Sequence, residues 1–295
     1  MVKPLFKWTG AKNRLLQKYT DLNFFPEDEK FDTFVDLFAG GGCVSLWVAD
    51  RYPEKKLIIN DLNTELVTMY LHIRNEWDKF FPYYKMYVEE FMKGTPAERK
   101  ELYDSYKPVY CHQYEDYDPI QISALLLVML KTNFNGIWKS YIKWNNRYST
   151  PAGTMTYKES LFDCENLIQF RDVLRRSEVL NLSYEEVEIP ENSWVFADPP
   201  YRDSEKMYSD QFDDEDQNKL AEYLLRNDCL YAESNKEIGD GFWNRLYPSD
   251  NINYLDHKYT CGAGDSTKQV TEVLIKNYNN NVEPHNLENF FWYKC

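Results

Sequence analysis

Long apolar runs are missing from this chain of 295 residues. The stretch Ala124 to Leu130 is apolar but far shorter than the ~18 residues that suggest a membrane span, so it reads as a buried helix. The N-terminus has no apolar signal core, and a cytoplasmic protein is expected. Cysteine is sparse and scattered, at Cys43, Cys111, Cys164, Cys229, Cys261 and Cys295. None forms a C-x-x-C pair, which argues against a zinc site or a disulfide framework. The four histidines are dispersed, with Cys111-His112 an isolated neighbour pair, and no metal is expected. The dinucleotide spacing G-x-G-x-x-G is absent, and no lysine followed by Ser or Thr closes a glycine loop, which excludes a P-loop. Repeats and low-complexity segments are absent too.

Positive charge is also in deficit. Lys and Arg number 34 against 48 Asp and Glu, a net charge of −14. That balance argues against nucleic acid, whose phosphates are met by cations. The distribution argues the other way. Met1 to Thr20 holds Lys3, Lys7, Lys12, Arg14 and Lys18 with no acid. Lys131 to Lys158 holds Lys131, Lys139, Lys143, Arg147 and Lys158, again with no acid. Two acid-free basic stretches in so acidic a chain suggest one cationic face on a negative body. Trp138, Tyr141, Trp144 and Tyr148 interleave with the second stretch. Aromatics among cations suit base stacking, although some of these rings also suit a core.

Three short apolar runs end in acids. Trp194-Val195-Phe196-Ala197 reads as a buried strand of a parallel sheet and stops at Asp198-Pro199-Pro200-Tyr201. Two prolines cannot continue a central strand, so the chain leaves the sheet there. An acid, exposed carbonyls and an aromatic ring then share a strand's carboxyl end, where open α/β sheets bind ligands. These groups suit an exocyclic amine: Asp198 accepts one N–H, the Pro199 carbonyl another, and Tyr201 stacks on the ring. Phe34-Val35-Asp36-Leu37-Phe38-Ala39-Gly40-Gly41-Gly42 is a second strand running into a glycine loop, with a helix expected from Cys43. Leu57-Ile58-Ile59-Asn60-Asp61 is a third strand, placing Asp61 about 20 residues on, the offset of an acid that meets ribose hydroxyls. A glycine loop with a ribose acid and no phosphate clamp points to a nucleoside ligand, for which S-adenosyl-L-methionine is the common cofactor.

With these motifs goes a resemblance. Phe6-Lys7-Trp8-Thr9-Gly10-Ala11-Lys12, the loop from Asp36 to Gly42, Asn60-Asp61, Asn133 to Lys139, Tyr148 to Gly153, Asp198 to Tyr201, Glu233-Ser234-Asn235 and Glu272 to Tyr278 occur in order. Together the series resembles the Dam-type DNA adenine-N6 methyltransferases over nearly the whole chain. Ala11 stands where the family usually has glycine, and Tyr141 where an asparagine is common. The resemblance implies an α/β fold: a Rossmann-like class I methyltransferase sheet with an inserted, mainly helical target-recognition domain and hairpin. The catalytic part is expected at 1–63 and 155–295, the insertion at 64–154. It implies catalysis by Asp198, Pro199 and Tyr201. S-adenosyl-L-methionine is expected at Trp8, Lys12, Asp36, Phe38, Gly40, Asp61 and Asp198, with Trp8 packed on it and Lys12 meeting its carboxylate. Double-stranded DNA is expected at Asn135, Lys139, Lys143, Arg147 and Pro151, Arg147 near the hairpin tip reading a base and the lysines meeting phosphates. A monomer or weak dimer is expected, with room for a cognate restriction endonuclease.

Other details follow from local signals. Thr64 to Leu130 reads as several short helices with breaks near Pro82, Gly94-Thr95-Pro96 and Pro108. Residues 142–148 read as a hairpin turning on Asn145-Asn146. Asp213 to Arg226 reads as a helix whose opening acid run is solvated, and Cys229 to Ala232 and Val270 to Lys276 as strands. A protein-glutamine enzyme usually has Asn at position 198 and a cytosine-N4 enzyme Ser. The remaining alternative is a non-enzymatic DNA-binding or DNA-mimic protein on the same scaffold, which the acidity would suit.

Overall fold

The computed structural model describes residues 2–141, 146–155, 162–202, 212–260 and 267–279. In chain order the strands are β1 (Thr33–Asp36), β2 (Lys56–Asn60), β3 (Lys139–Tyr141), β4 (Asn146–Ser149), β5 (Ser177–Leu180), β6 (Ser193–Ala197), β7 (Leu230–Lys236), β8 (Ile252–Thr260) and β9 (Thr267–Lys276). The helices are α1 (Leu16–Asp21), α2 (Cys43–Arg51), α3 (Thr64–Asn75), α4 (Trp77–Lys93), α5 (Pro96–His112), α6 (Pro119–Thr132), α7 (Cys164–Arg175), α8 (Asp214–Arg226) and α9 (Phe242–Leu246).

Seven strands form one sheet in the order β5-β2-β1-β6-β7-β9-β8. The pairs from β5 to β7 are parallel, and β9 pairs antiparallel with both β7 and β8. The central strands are short and buried on both faces, which is why they read as unbroken apolar runs. Side chains alternate between the two faces. Phe34, Trp194 and Phe196 pack into one cluster with α2 and α7; Val35, Val195 and Ala197 pack into another with α8 and α9. Chain order reverses between β1 and β6: β2 follows on one side, β7 on the other. A crevice outside the carboxyl ends of those two strands is the topological switch point of an open α/β sheet. The expected Rossmann-like α/β sheet is what the chain forms.

The helical stretch departs from its expectation in length. Pro82 lies inside α4 and Pro108 inside α5, without ending either helix. An interior proline costs about 3 kcal/mol. Phe80, Tyr84, Tyr87 and Phe91 form one buried stripe of α4, and at roughly 1.5–3 kcal/mol per side chain that burial outweighs the lost bond. Tyr103, Tyr106 and Tyr110 do the same for α5. The break at Gly94-Thr95-Pro96 does occur, because Thr95 and Glu98 exchange side-chain and backbone bonds in a capping box and Pro96 opens the next helix. In α6 every residue from Ala124 to Leu130 is buried, as expected of that run. One apolar cluster continues from the sheet face into α3, α4, α5 and α6.

The hairpin's two strands are present and pair antiparallel. Tyr141 pairs with Asn146 and Lys139 with Ser149. Asn146 is therefore a strand residue and not a turn residue. Residues 142–145, including Asn145 of the expected turn, lie outside the described residues. Strands β5 and β8 had no sequence signal, and β7 runs on through Glu233-Ser234-Asn235 to Lys236.

Candidate active site

Three motif acids lie where parallel strands end: Asp36 at β1, Asp61 after β2 and Asp198 after β6. Asp36 closes β1, only 2% exposed, and accepts a bond from Ser45 Oγ at 2.6 Å. Burial pushes its carboxyl up to about 7 against the pull of Ser45. Asp36 therefore faces inward and braces the start of α2. The loop above it turns at Gly40 (φ +49°) and Gly42 (φ +73°). A Cβ on Gly40 would lie 2.7 Å from the indole nitrogen of Trp8, and one on Gly41 3.1 Å from Trp8 Cβ. The loop is glycine because Trp8 lies against it. Tyr70 OH donates to the Gly40 carbonyl at 2.7 Å, bracing the loop from α3.

Asp61 follows β2. Its Oδ2 accepts the Gly40 N–H at 2.7 Å and its Oδ1 the Asn63 N–H at 2.8 Å. Burial raises its pKa despite both bonds. Each oxygen keeps lone-pair capacity for a hydroxyl. Leu62, beside it, is 63% exposed, an uncovered apolar side chain at the mouth of the loop. Phe38 is half-buried between Tyr184 and Phe212, with ring centroids 5.5 Å and 5.8 Å away.

Asp198 emerges from β6. Both of its oxygens accept from Lys12 Nζ, at 2.5 Å and 2.6 Å, and Oδ1 also accepts from Ser234 Oγ at 2.8 Å. Lys12 is 2% exposed and donates in addition to the Gly10 carbonyl at 3.2 Å. A lysine ammonium has three donors, and these contacts occupy them. Burial opposes the charge on Lys12, but Asp198 and Glu272 together outweigh it and hold the amine's pKa above its usual value. Lys12 was expected at a cofactor carboxylate; the carboxylate it meets is that of Asp198. It is also withdrawn from any cationic outer face. Its backbone N–H donates to Cys43 Sγ at 3.1 Å. Burial pushes that thiol up to about 12, so Cys43 anchors and is no nucleophile.

The loop after Asp198 is clamped from two elements. Gln217 of α8 donates to the Pro200 carbonyl at 3.0 Å, and Asn235 of β7 accepts the Arg202 N–H at 3.1 Å. Among the described residues none donates to the Pro199 carbonyl. The Arg202 guanidinium bonds Asp214 at 2.7 Å and 2.8 Å and Asp240 at 3.0 Å and 3.2 Å, and sits 3.8 Å from the Phe242 ring. The acid run opening α8 is thus not simply solvated: Asp213 caps the helix and Asp214 holds Arg202. Tyr201 donates its OH to Glu272 of β9, and Lys12 Nζ lies 4.6 Å above its ring. Ser234, Gln217, Arg202 and Glu272 had no assigned role in the sequence. Ser234 and Glu272 belong to motifs that were recognised, whereas Gln217 and Arg202 carried no signal.

A second group lies on the hairpin side. Asn135 (φ +53°) is exposed, and Phe134 N–H donates to the Pro151 carbonyl at 2.8 Å, bringing the Asn-Gly turn and Pro151 together. The backbones of Lys139 and Arg147 run in β3 and β4; Lys143 lies outside the described residues. Trp138 is core, edge-on to Tyr110 at 5.5 Å. The Asn-Gly turn also touches the N-terminal motif. Thr9 Oγ1 donates to the Gly136 carbonyl at 3.2 Å, and a Cβ on Gly136 would lie 2.6 Å from the Lys7 carbonyl oxygen.

A family model described as D12 class N6 adenine-specific DNA methyltransferase matches residues 8–260. The chain belongs to that family. It is an adenine-specific DNA methyltransferase, and its mixed sheet is the class I methyltransferase fold. It is similar to type II methyltransferase M.MjaIII of Methanocaldococcus jannaschii, 29% identical over 94% of this chain and 99% of that protein. Type II methyltransferase M.CviBI of Paramecium bursaria Chlorella virus NC1A is 26% identical over 94% of this chain and 100% of its own. Modification methylase StsI of Streptococcus sanguinis is 24% identical over 94% of this chain but 43% of its own length. The described part of this methyltransferase has no helix long and apolar enough to cross a membrane.

Proposed function

We propose that this methyltransferase takes the methyl of S-adenosyl-L-methionine to N6 of an adenine flipped out of duplex DNA at a specific sequence. The observation that carries the reading is Asp198, held between Lys12 and Ser234 at the carboxyl end of β6. The adenine amine is a poor nucleophile because its lone pair is delocalised into the ring. Two acceptors on its protons favour a tetrahedral nitrogen whose lone pair is free to attack. Asp198 Oδ2 takes only Lys12 among the described residues, which leaves it capacity for one amino proton. The Pro199 carbonyl is the second acceptor, and Tyr201 the platform for the base. Lys12 balances the charge of Asp198, so we assign it to the acid and not to the cofactor. Flipping the base costs a few kcal/mol of unstacking.

The loop suits the cofactor's nucleoside. It carries no cation for a phosphate, its glycines admit Trp8, and both Asp61 oxygens face N–H donors with capacity to spare. When bound, the cofactor supplies an electrophilic methyl group. Trp8, Phe38, Gly40 and Asp61 would hold it, with Asp36 bracing the loop from below. Residues 64–154 form the target-recognition insertion, and Asn135, Lys139, Lys143, Arg147 and Pro151 its DNA-facing edge. Similarity to type II and modification enzymes supports a cognate restriction endonuclease acting at the same site. The test is labelled S-adenosyl-L-methionine with duplex DNA. Label in N6-methyladenine is expected; label in cytosine, in protein or nowhere overturns the reading. Measured cofactor binding would separate an enzyme from a DNA mimic, which has no use for it.

A further inference from the structure

Glu272 sits on β9 with its side chain 0% exposed, two strands from Asp198. Its Oε1 accepts the Tyr201 hydroxyl and lies 3.8 Å from Lys12 Nζ. An ionisable carboxyl at full burial is costly unless bonded and paired. This one is directed at two residues of the active site. Burial raises its pKa more than Lys12 and Tyr201 lower it. The Tyr201 phenol is itself held well above its usual value, by burial first and then by Asp198 and Glu272, so it remains a donor.

We propose that Glu272 is a positioning residue: it anchors the far end of Tyr201 and so sets the plane on which the target adenine stacks over Asp198. A tyrosine ring has two free torsions. Anchoring its para oxygen restrains both. Lys12 covers the ring at 4.6 Å, so the ring is held at its edge by Glu272 and at a face by Lys12. The tilt of that ring then decides how close a stacked amine comes to Asp198 Oδ2 and the Pro199 carbonyl. This inference rests on the proposed adenine reading of the site.

The experiment measures kcat at saturating DNA and cofactor for wild type, Glu272→Leu, Glu272→Gln and Tyr201→Phe, and for the two double variants with Tyr201→Phe. Cofactor affinity and thermal unfolding report whether each variant is folded. Leu removes the acceptor at similar volume, and kcat is expected to fall about 30- to 100-fold, the scale of a small misplacement. Gln keeps an acceptor for the hydroxyl and restores at least ten of that factor, by the same scale. In the Tyr201→Phe background, which has no hydroxyl to anchor, Glu272→Leu should cost less than about three-fold more. Equal loss in Leu and Gln, or full additivity with Tyr201→Phe, overturns the proposal, as does an unchanged kcat in the Leu variant. If the Leu variant is unfolded, Tyr201→Phe, which removes the anchored hydroxyl itself, still decides: its kcat should fall on the same scale, and an unchanged kcat overturns the proposal. A wild type that methylates no adenine defeats the functional reading itself, and the inference with it.

Discussion

At the scale of single residues, the site is a division of labour between acids. Asp198 is partly exposed, its side chain at 18%, and bonded to one cation and one hydroxyl. Asp61 is bonded to backbone N–H groups of the glycine loop and its exit. Removing each should read out differently. Asp198→Ala should lower kcat by about three orders of magnitude, the scale of a lost transition-state contact, with cofactor affinity nearly unchanged. Asp61→Ala should weaken cofactor binding and recover most of its rate at saturation. A rate at saturation as low as that of Asp198→Ala would show that Asp61 takes part in the chemistry. Lys12→Met leaves Asp198 without its cation, so it should lower kcat while affecting cofactor affinity little, as measured by equilibrium binding. A large loss of affinity instead would return Lys12 to the cofactor carboxylate.

At the scale of elements, one short segment touches both halves of the proposed reaction. Trp8 lies against Gly40 and Gly41, while Lys7 and Thr9 meet Gly136 of the Asn-Gly turn. Gly136 combines a φ of +74° with a Cβ position 2.6 Å from a backbone oxygen, so no side-chain rotation relieves the contact. Gly136→Ala should therefore destabilise by at least about 1–2 kcal/mol, the cost of left-handed backbone alone, seen as a lower denaturation midpoint. The hairpin is the proposed DNA-reading surface. Arg147→Ala should relax sequence preference by about 1–3 kcal/mol at one base pair, and Lys143→Ala should weaken all sites alike and lower the salt slope by about one unit. Unchanged preference and slope in both would remove the hairpin from the DNA-reading surface.

At the scale of the whole molecule, acids set the pH response. Glu233 is 1% exposed, accepts from Tyr247 OH, and is pushed up to about 7 by burial in spite of that bond. Its unfolded value is about 4.3. Between those values the native state binds the extra proton, so stability is present below the unfolded value and falls as pH rises to about 7. The loss is on the order of 3 kcal/mol. Asp36, also pushed up to about 7, acts in the same direction. The melting temperature should thus decline from pH 5 to pH 8, and Glu233→Gln, which keeps an acceptor for Tyr247, should flatten the decline. An identical slope in the variant would mean that Glu233 ionises in the native state as it does in the unfolded chain.

Much of the framework was legible in the sequence because its signals are local. A strand buried on both faces is a short apolar run, and its exit is marked by an acid, a glycine or a proline; β1, β2 and β6 all follow that rule. Ordered motifs carried the family. Tertiary structure decided what local signals cannot. Prolines 82 and 108 stay inside helices because aromatic stripes on the same helices are buried by neighbours distant in sequence. Lys12 and Asp198, 186 positions apart, become partners only when β6 lies beside β1 and the N-terminal turn is anchored on Cys43 at the start of α2. Arg202 finds Asp214 and Asp240, and Tyr201 finds Glu272, by the same means. Sequence determines which groups exist and where strands release them; the strand order determines which of them meet, because a buried charge takes its partner from whatever the sheet brings within bonding distance.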